Sequence, residues 1–176
     1  ISQRLIQQLV TSNPSPAYVS RVAAVFANNG SGVRGDIGAV VRAILTDAEA
    51  RDMSAAGSTS FGKLREPVIR LANWARAFEV TSQTGNYLIT STSANTSLNQ
   101  SPLTSPSVFN FWRPGFTPPA TTQLGSRSLL APEFQVVDEV TAASYINVMQ
   151  DWINNGIGST PPNGSGRDVR SAYAPE

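Results

Sequence analysis

Three segments in the first third of the chain repeat apolar residues every three or four positions, which is the period of an α-helix. They cover residues 1–10, about 16–28 and about 36–51. Ser15 followed by Pro16 is a typical helix start, because serine caps the first turn and proline needs no partner there. Asp36 is an equally good cap for the third segment. Short amphipathic helices joined by turns predict a helical bundle.

The remaining two thirds of the chain predict two further helices, over about 63–80 and about 138–155. Between them, residues 81–135 lose the helical period, and only "NYLITST" at 86–92 has the β-branched and aromatic content of a short strand. The predicted fold class is therefore all-α, a bundle of about five helices with a long irregular segment rich in proline and aromatic residues. We expect one helical domain over 1–158 and a flexible Gly/Pro/Ser-rich tail over 159–176.

The segment "SPLTSPSVFNFWRPGFTPP", residues 101–119, is the most unusual stretch of the chain, with five prolines and four aromatic rings. We call it the proline-aromatic loop. Its candidate interaction residues are Phe109, Phe111, Trp112, Arg113 and Phe116.

Two functions of this loop are open at the sequence level. Exposed rings could stack on sugar faces, with Trp112 beside Arg113 as the platform. Alternatively, the rings pack against the protein while the prolines reduce the entropy lost on ordering. We prefer packing, in which the loop covers the helical bundle and Trp112 and Arg113 are the part that faces outward. If the chain is an interaction module, we expect Phe109, Phe111 and Trp112 to be mostly buried.

The amino-acid composition excludes several classes of binding and catalytic site. Charged residues make up 14% of the chain and the net charge is +1, so there is no clustered basic face for nucleic acid. The chain contains no cysteine and no histidine, which excludes Ser-His-Asp, Cys-His and His-ligated metal sites within it. We predict no cofactor and no metal. No run of eighteen apolar residues is present, so we predict no membrane span.

One glycine motif and one serine–lysine motif resemble functional sites but have simpler structural explanations. Gly30, Gly32 and Gly35 match G-x-G-x-x-G, but they follow a helix, whereas a dinucleotide site needs a preceding strand. An interhelical turn is the better interpretation. Ser60 and Lys63 have the S-x-x-K spacing, yet Lys63 is the only lysine, so the second lysine element of such enzymes is missing.

The acidic residues select no catalytic or metal site. Asp47, Glu49 and Asp52 could suggest calcium, but a predicted helix end cannot wrap an oxygen cage around the ion. The other candidates for a paired-carboxylate mechanism share no spacing that selects two of them. They are Glu66, Glu79, Glu133, Asp138 and Glu139.

Five blocks carry a family resemblance in a fixed order. They read "LIQQLVTSNPSPAYVSRVAAVFANNG", "GDIGAVVRAILTDAEAR", "GKLREPVIRLANWARAF", "SPLTSPSVFNFWRPGF" and "LLAPEFQVVDE". Together they resemble the C-terminal half of the bacterial domain-of-unknown-function family numbered 1800, which consists of uncharacterised exported proteins. The resemblance implies a mainly helical protein with an export signal in an N-terminal part that is absent here. It implies no activity, cofactor or catalytic residue.

From these observations we expect a non-catalytic structural or interaction module of an exported bacterial protein, periplasmic or extracellular. Its partner would be the rest of its own longer chain or another protein chain, and not nucleic acid. The alternative is an enzyme or enzyme subunit that acts on extracellular polysaccharide. This alternative depends on the aromatic rings of the proline-aromatic loop.

Overall fold

The computed structural model describes residues 1–164 and 166–172. Its α-helices are α1 (Ser2–Leu9), α2 (Pro16–Ala27), α3 (Ile37–Thr46), α4 (Ala48–Arg51), α5 (Pro67–Ala77) and α6 (Glu139–Asn155). Three 3-10 turns lie at Met53–Gly57, Gly125–Arg127 and Pro132–Gln135. The strands β1 (Thr81–Ser82) and β2 (Val169–Arg170) form one antiparallel pair. The predicted all-α fold class is confirmed. None of the described helices is long and apolar enough to cross a membrane.

The chain divides into two compact units. Unit one contains Ile1–Leu64 and Arg113–Pro132, and unit two contains Arg65–Trp112 and Glu133–Glu176. Each unit is thus built from two separate stretches of sequence. The proline-aromatic loop contributes to both, since residues up to Trp112 belong to unit two and residues from Arg113 belong to unit one.

Unit one is a bundle of α1, α2 and α3, as the apolar periodicity predicts. Its core consists of Ile6, Tyr18, Val22, Val40 and Ile44. Full burial of an aliphatic side chain of this size contributes about 1.5–3 kcal/mol. The hydroxyl of Tyr18 donates a hydrogen bond to the carbonyl of Ile44 over 2.6 Å, so the buried ring leaves no polar atom unpaired. Burial, together with the carboxylates of Asp47 and Glu49, raises the pKa of Tyr18 to about 12.

The helix starts in unit one follow the predicted caps. The side chain of Ser15 accepts from the backbone N–H of Tyr18 at 3.1 Å, with Pro16 in the first turn. Asp36 accepts from the N–H of Ala39 at 2.9 Å. The predicted helix over 36–51 is wrong in one respect: Asp47 takes an extended conformation, ends α3 and caps the separate helix α4.

Unit two has its own core, formed by Leu71, Leu98, Trp152, Ile157 and Val169. Helix α5 begins at Pro67 and not at residue 63, because Glu66 is extended, as residues before proline usually are. Helix α6 keeps its predicted bounds within one residue. It starts at a capping box in which Asp138 and Thr141 satisfy each other's backbone N–H groups.

The prediction of a strand at 86–92 is wrong. The described strand pair lies at 81–82 and 169–170, while Tyr87 takes the left-handed backbone conformation with φ of 50°. A left-handed residue interrupts the regular extension that a strand needs.

Part of the segment expected to be a tail is packed into unit two. Val169 is buried, and its N–H and C=O pair with the backbone of Ile157 at 3.1 and 2.7 Å. The division into a domain over 1–158 and a tail over 159–176 stays a prediction. Residue 165 and residues 173–176 of that expected tail lie outside the described part of the chain.

Candidate functional site

The proline-aromatic loop contains a tight turn in unit two whose tip is apolar. The backbone N–H of Asn110 donates to the carbonyl of Ser107 at 3.1 Å, and the N–H of Phe109 donates to the Ser107 hydroxyl at 3.1 Å. Asn110 is left-handed, with φ of 70°, a conformation that asparagine tolerates better than most residues. We call residues 107–110 the Val-Phe turn.

The tip of the Val-Phe turn is exposed to solvent. The relative exposure is 95% for Val108 and 61% for Phe109. Exposed apolar residues are common one at a time, but two adjacent ones on a hydrogen-bonded turn form a defined surface feature. The turn fixes the main chain and so reduces the entropy that a partner would have to remove on binding.

The five predicted loop residues divide between the surface and the interior. Phe109 and Arg113 are exposed, Phe111 and Phe116 are half-buried, and Trp112 is buried with 7% exposure. The burial of Trp112 agrees with the expectation for an interaction module, whereas the expectation of a buried Phe109 is wrong, and so is the expectation of an outward-facing Trp112. The large apolar surface of an indole makes its burial more favourable than that of a single phenyl ring. The assignment of these residues to an interaction site stays a prediction.

The part of the loop that belongs to unit one is tied to its own unit. The carbonyl of Pro114 accepts from the guanidinium of Arg4 at 3.2 Å, and the carbonyl of Phe116 accepts from the N–H of Ala131 at 2.9 Å. Gly125 lies so close to the carbonyls of Pro118 and Pro119 that a Cβ atom there would collide with them. This part of the loop serves packing.

Asp47, Glu49 and Asp52, the three acids whose spacing could suggest calcium, form hydrogen bonds at the ends of helices. Asp47 binds Arg21 in two hydrogen bonds of 2.7 Å, and the Arg21 guanidinium keeps the pKa of Asp47 below its usual range. Glu49 accepts from the N–H of Ser15 at 3.0 Å, and Asp52 accepts from the N–H of Ser54 at 2.8 Å. In residues 1–164 and 166–172, no group of three or more His, Cys, Asp or Glu side chains could hold a metal ion.

Several remaining acids are also bonded to the protein. Asp138 caps α6, and its hydrogen bonds from the backbone and side chain of Thr141 lower its pKa. Glu66 accepts from the amide of Gln100, and Asp151 pairs with Arg167. Glu133 is buried. Asp138, Glu66 and Asp151 are therefore already bound to other groups of the protein.

Asp168 binds a segment of unit two that lies far from it in the chain, a role that the sequence does not predict. Its buried carboxylate accepts from the Ser82 hydroxyl at 2.8 Å and from the N–H groups of Thr84 at 2.9 Å and Leu88 at 2.8 Å. Burial raises the pKa of Asp168, but the hydrogen bonds outweigh this effect and leave the pKa below its usual range. The "NGSGRD" context only suggests a loop, because the partners lie 80 to 86 residues earlier.

An apolar groove of about 590 Å³ lies within unit two. Its lining includes Val68, Leu71, Ala72 and Ala75 on α5. The segment Ile89–Ser91 also lines it, and so do the charged residues Arg76 and Glu79. Its volume and predominantly apolar lining fall in the range of ligand sites in proteins.

The whole described chain matches one protein family. The model of the family described as "Protein of unknown function (DUF1800)" covers residues 1–172.

The chain is a member of the DUF1800 family.

The family assignment agrees with the resemblance of the five sequence blocks. No curated protein and no solved structure gives a match. The DUF1800 description assigns no reaction, so a function has to be argued from the turn and the groove themselves.

Proposed function

We propose that this DUF1800 chain is a non-catalytic interaction module that binds a partner through the Val-Phe turn. The partner is another protein chain or a further part of the same polypeptide. The observation that carries the proposal is the exposure of Val108 and Phe109 on a turn fixed by two hydrogen bonds of 3.1 Å. Aromatic side chains presented on a rigid backbone are the usual anchors of protein interfaces.

The bonding of the acidic side chains supports a non-catalytic role. Asp36, Asp47, Asp52 and Asp138 accept backbone hydrogen bonds at helix starts. Each of these contacts stabilises the ionised form and leaves the carboxylate poorly suited to exchange protons near neutral pH. Because the indole of Trp112, which was the expected platform for sugar stacking, is buried, we favour the interaction module over the polysaccharide enzyme.

Our proposal also includes export of the protein from the cytoplasm. It is supported by the family resemblance of the sequence blocks and is tested by fractionating cells that make the full-length protein. An exported module is expected in the periplasmic or extracellular fraction, and recovery only from the cytoplasm would contradict it.

Photo-crosslinking inside the producing cell tests the interaction itself. The full-length protein would carry p-benzoylphenylalanine at position 109 or, as a control, at position 146 on α6, where Ile146 is also exposed. We expect a discrete adduct from position 109, with the joined peptides identified by mass spectrometry, and none from position 146. No adduct at 109, or the same adducts from both positions, would contradict the proposal.

A further inference from the structure

We propose that the apolar groove of unit two binds an extended peptide segment by main-chain pairing with Thr90 or Ser91. The peptide places apolar side chains against α5 and an acidic side chain near Arg76. This goes beyond the proposed function, because no residue of the Val-Phe turn lines the groove. The two binding surfaces can therefore be tested separately.

The wall formed by Ile89–Ser91 is fixed at both ends. On one side, the N–H of Leu88 donates to Asp168 at 2.8 Å, and its carbonyl accepts from the N–H of Ser159 at 3.2 Å. On the other side, the carbonyl of Thr92 accepts from the N–H groups of Leu98 and Gln100 at 3.2 and 3.3 Å. A segment held in this way is ordered before any ligand arrives, which lowers the entropy cost of binding.

Between these anchors the main chain has unused hydrogen-bonding groups. Within the described residues, the N–H and C=O groups of Thr90 and Ser91 form no hydrogen bond. Both residues are exposed. Because residues 89, 90 and 91 all line the groove, their backbone forms part of the groove wall. Neighbouring residues of an extended chain direct their N–H and C=O groups to opposite sides, so one of these two residues can pair with an added strand. Main-chain bonds of this kind provide affinity, and alternate side chains provide specificity.

The opposite wall suits the alternating side chains of such a strand. Ala72 and Ala75 on α5 are small and leave room for a guest, and Val68 and Val80 extend the apolar lining. In an extended peptide every second side chain points to the same face. An apolar residue at every second position would therefore fill the groove while the intervening residues stay in solvent.

The charges at the end of α5 define the peptide more closely. Arg76 and Glu79 line the groove and are exposed, and in the described part of the chain neither side chain forms an ion pair or hydrogen bond. A guanidinium in the last turn of a helix attracts a carboxylate and is itself favoured there by the helix dipole. Arg76 therefore favours an acidic residue next to the apolar positions of the peptide, while Glu79 repels an acidic residue placed on its own side.

Panning a phage library of random octapeptides against the chain tests this inference, followed by fluorescence anisotropy on the enriched peptides. We expect sequences with apolar residues at alternate positions and an acidic residue at one end. Ala75→Trp fills the groove and should weaken binding at least about tenfold, a change of about 1.4 kcal/mol. Ala77→Trp is the matched control, because Ala77 lies on the same helix, is exposed and does not line the groove.

Two further comparisons do not depend on the Trp variant folding. Arg76→Gln should weaken an acidic peptide about two- to fivefold, the effect of one exposed ion pair, while Glu79→Gln should not weaken it. N-methylation of alternate peptide amides should abolish binding in one register and be tolerated in the other, because only every second N–H faces the partner strand.

The inference fails if no peptide is enriched, if Ala75→Trp binds as tightly as the parent, or if N-methylation is tolerated at every position. Phe109→Ala must leave peptide binding unchanged. If that variant abolishes binding, the peptide sits on the Val-Phe turn, which overturns the groove inference while supporting the proposed function. Dimerisation that Ala75→Trp abolishes would make a second copy the occupant and would also overturn it.

Discussion

Trp112 and Phe109 are three positions apart, yet they make opposite contributions to this protein. The indole is buried and the phenyl ring is mostly in solvent. Burial of a large ring stabilises the folded chain, whereas an exposed ring contributes little until a partner covers it. The two residues therefore separate the packing function of the proline-aromatic loop from its proposed binding function.

Alanine substitutions should show this difference in stability. Trp112→Ala is expected to lower the free energy of unfolding by about 3–5 kcal/mol, the usual cost of removing a large buried ring. Phe109→Ala should change it by less than about 0.5 kcal/mol, as exposed positions do. Urea unfolding followed by far-UV circular dichroism measures both. Equal losses from the two variants would contradict the burial difference.

Asp168 should make unit two sensitive to acid. Its folded-state pKa lies below its unfolded value of about 3.9, so its stabilising contribution is present above that value and disappears as the pH falls through the folded-state pKa. Stability measured by urea unfolding between about pH 6 and pH 3 should therefore fall less steeply in Asp168→Asn than in the parent. Identical pH profiles would show that the buried carboxylate contributes nothing to this dependence.

At the scale of elements, the helices depend on short-range signals. Ser15→Ala removes the cap of α2 and should cost about 0.5–2 kcal/mol, because the N–H of Tyr18 loses its acceptor. Ser15→Thr keeps a hydroxyl cap and should recover most of this loss. Thermal unfolding by circular dichroism compares the three proteins. A Ser15→Ala variant as stable as the parent would mean that the cap is not used.

The same elements show how far the sequence could predict the structure. The starts of α2, α3 and α6 depend on Ser15, Asp36 and Asp138, whose partners lie three residues away, so local patterns were sufficient. Strand β1 was missed because its partner strand lies almost 90 residues later in the chain. The composition of residues 86–92 favours a strand, but no neighbouring strand completes it.

The candidate site was predictable only in its location. The density of proline and aromatic residues identified the loop, because such a combination suits neither a helix nor a strand. Which ring is buried could not be predicted, since an irregular segment has no periodicity to relate sequence position to the core. The groove depends on α5 and on residues 89–91, and the N–H of Leu88, just before these residues, is bound by Asp168, which lies 80 residues later in the chain.

At the scale of the whole molecule, the protein consists of two compact units, each with its own apolar core. The described carboxylates mostly cap helices or bind side chains of their own unit. Two surfaces of the protein expose apolar groups to partners: the Val-Phe turn, and the groove of unit two, which also contains Arg76 and Glu79. Our proposal that the chain binds other chains depends on these two surfaces.

Hydroxyl-radical footprinting of Phe109 and Trp112 is the most direct test of the interaction module. In the isolated chain, Phe109 should be oxidised faster than Trp112, because the phenyl ring is exposed and the indole is buried. In the full-length protein inside its producing cell, the partner should protect Phe109. Equal oxidation of Phe109 in the isolated chain and in the cell would contradict our proposal that the Val-Phe turn binds a partner.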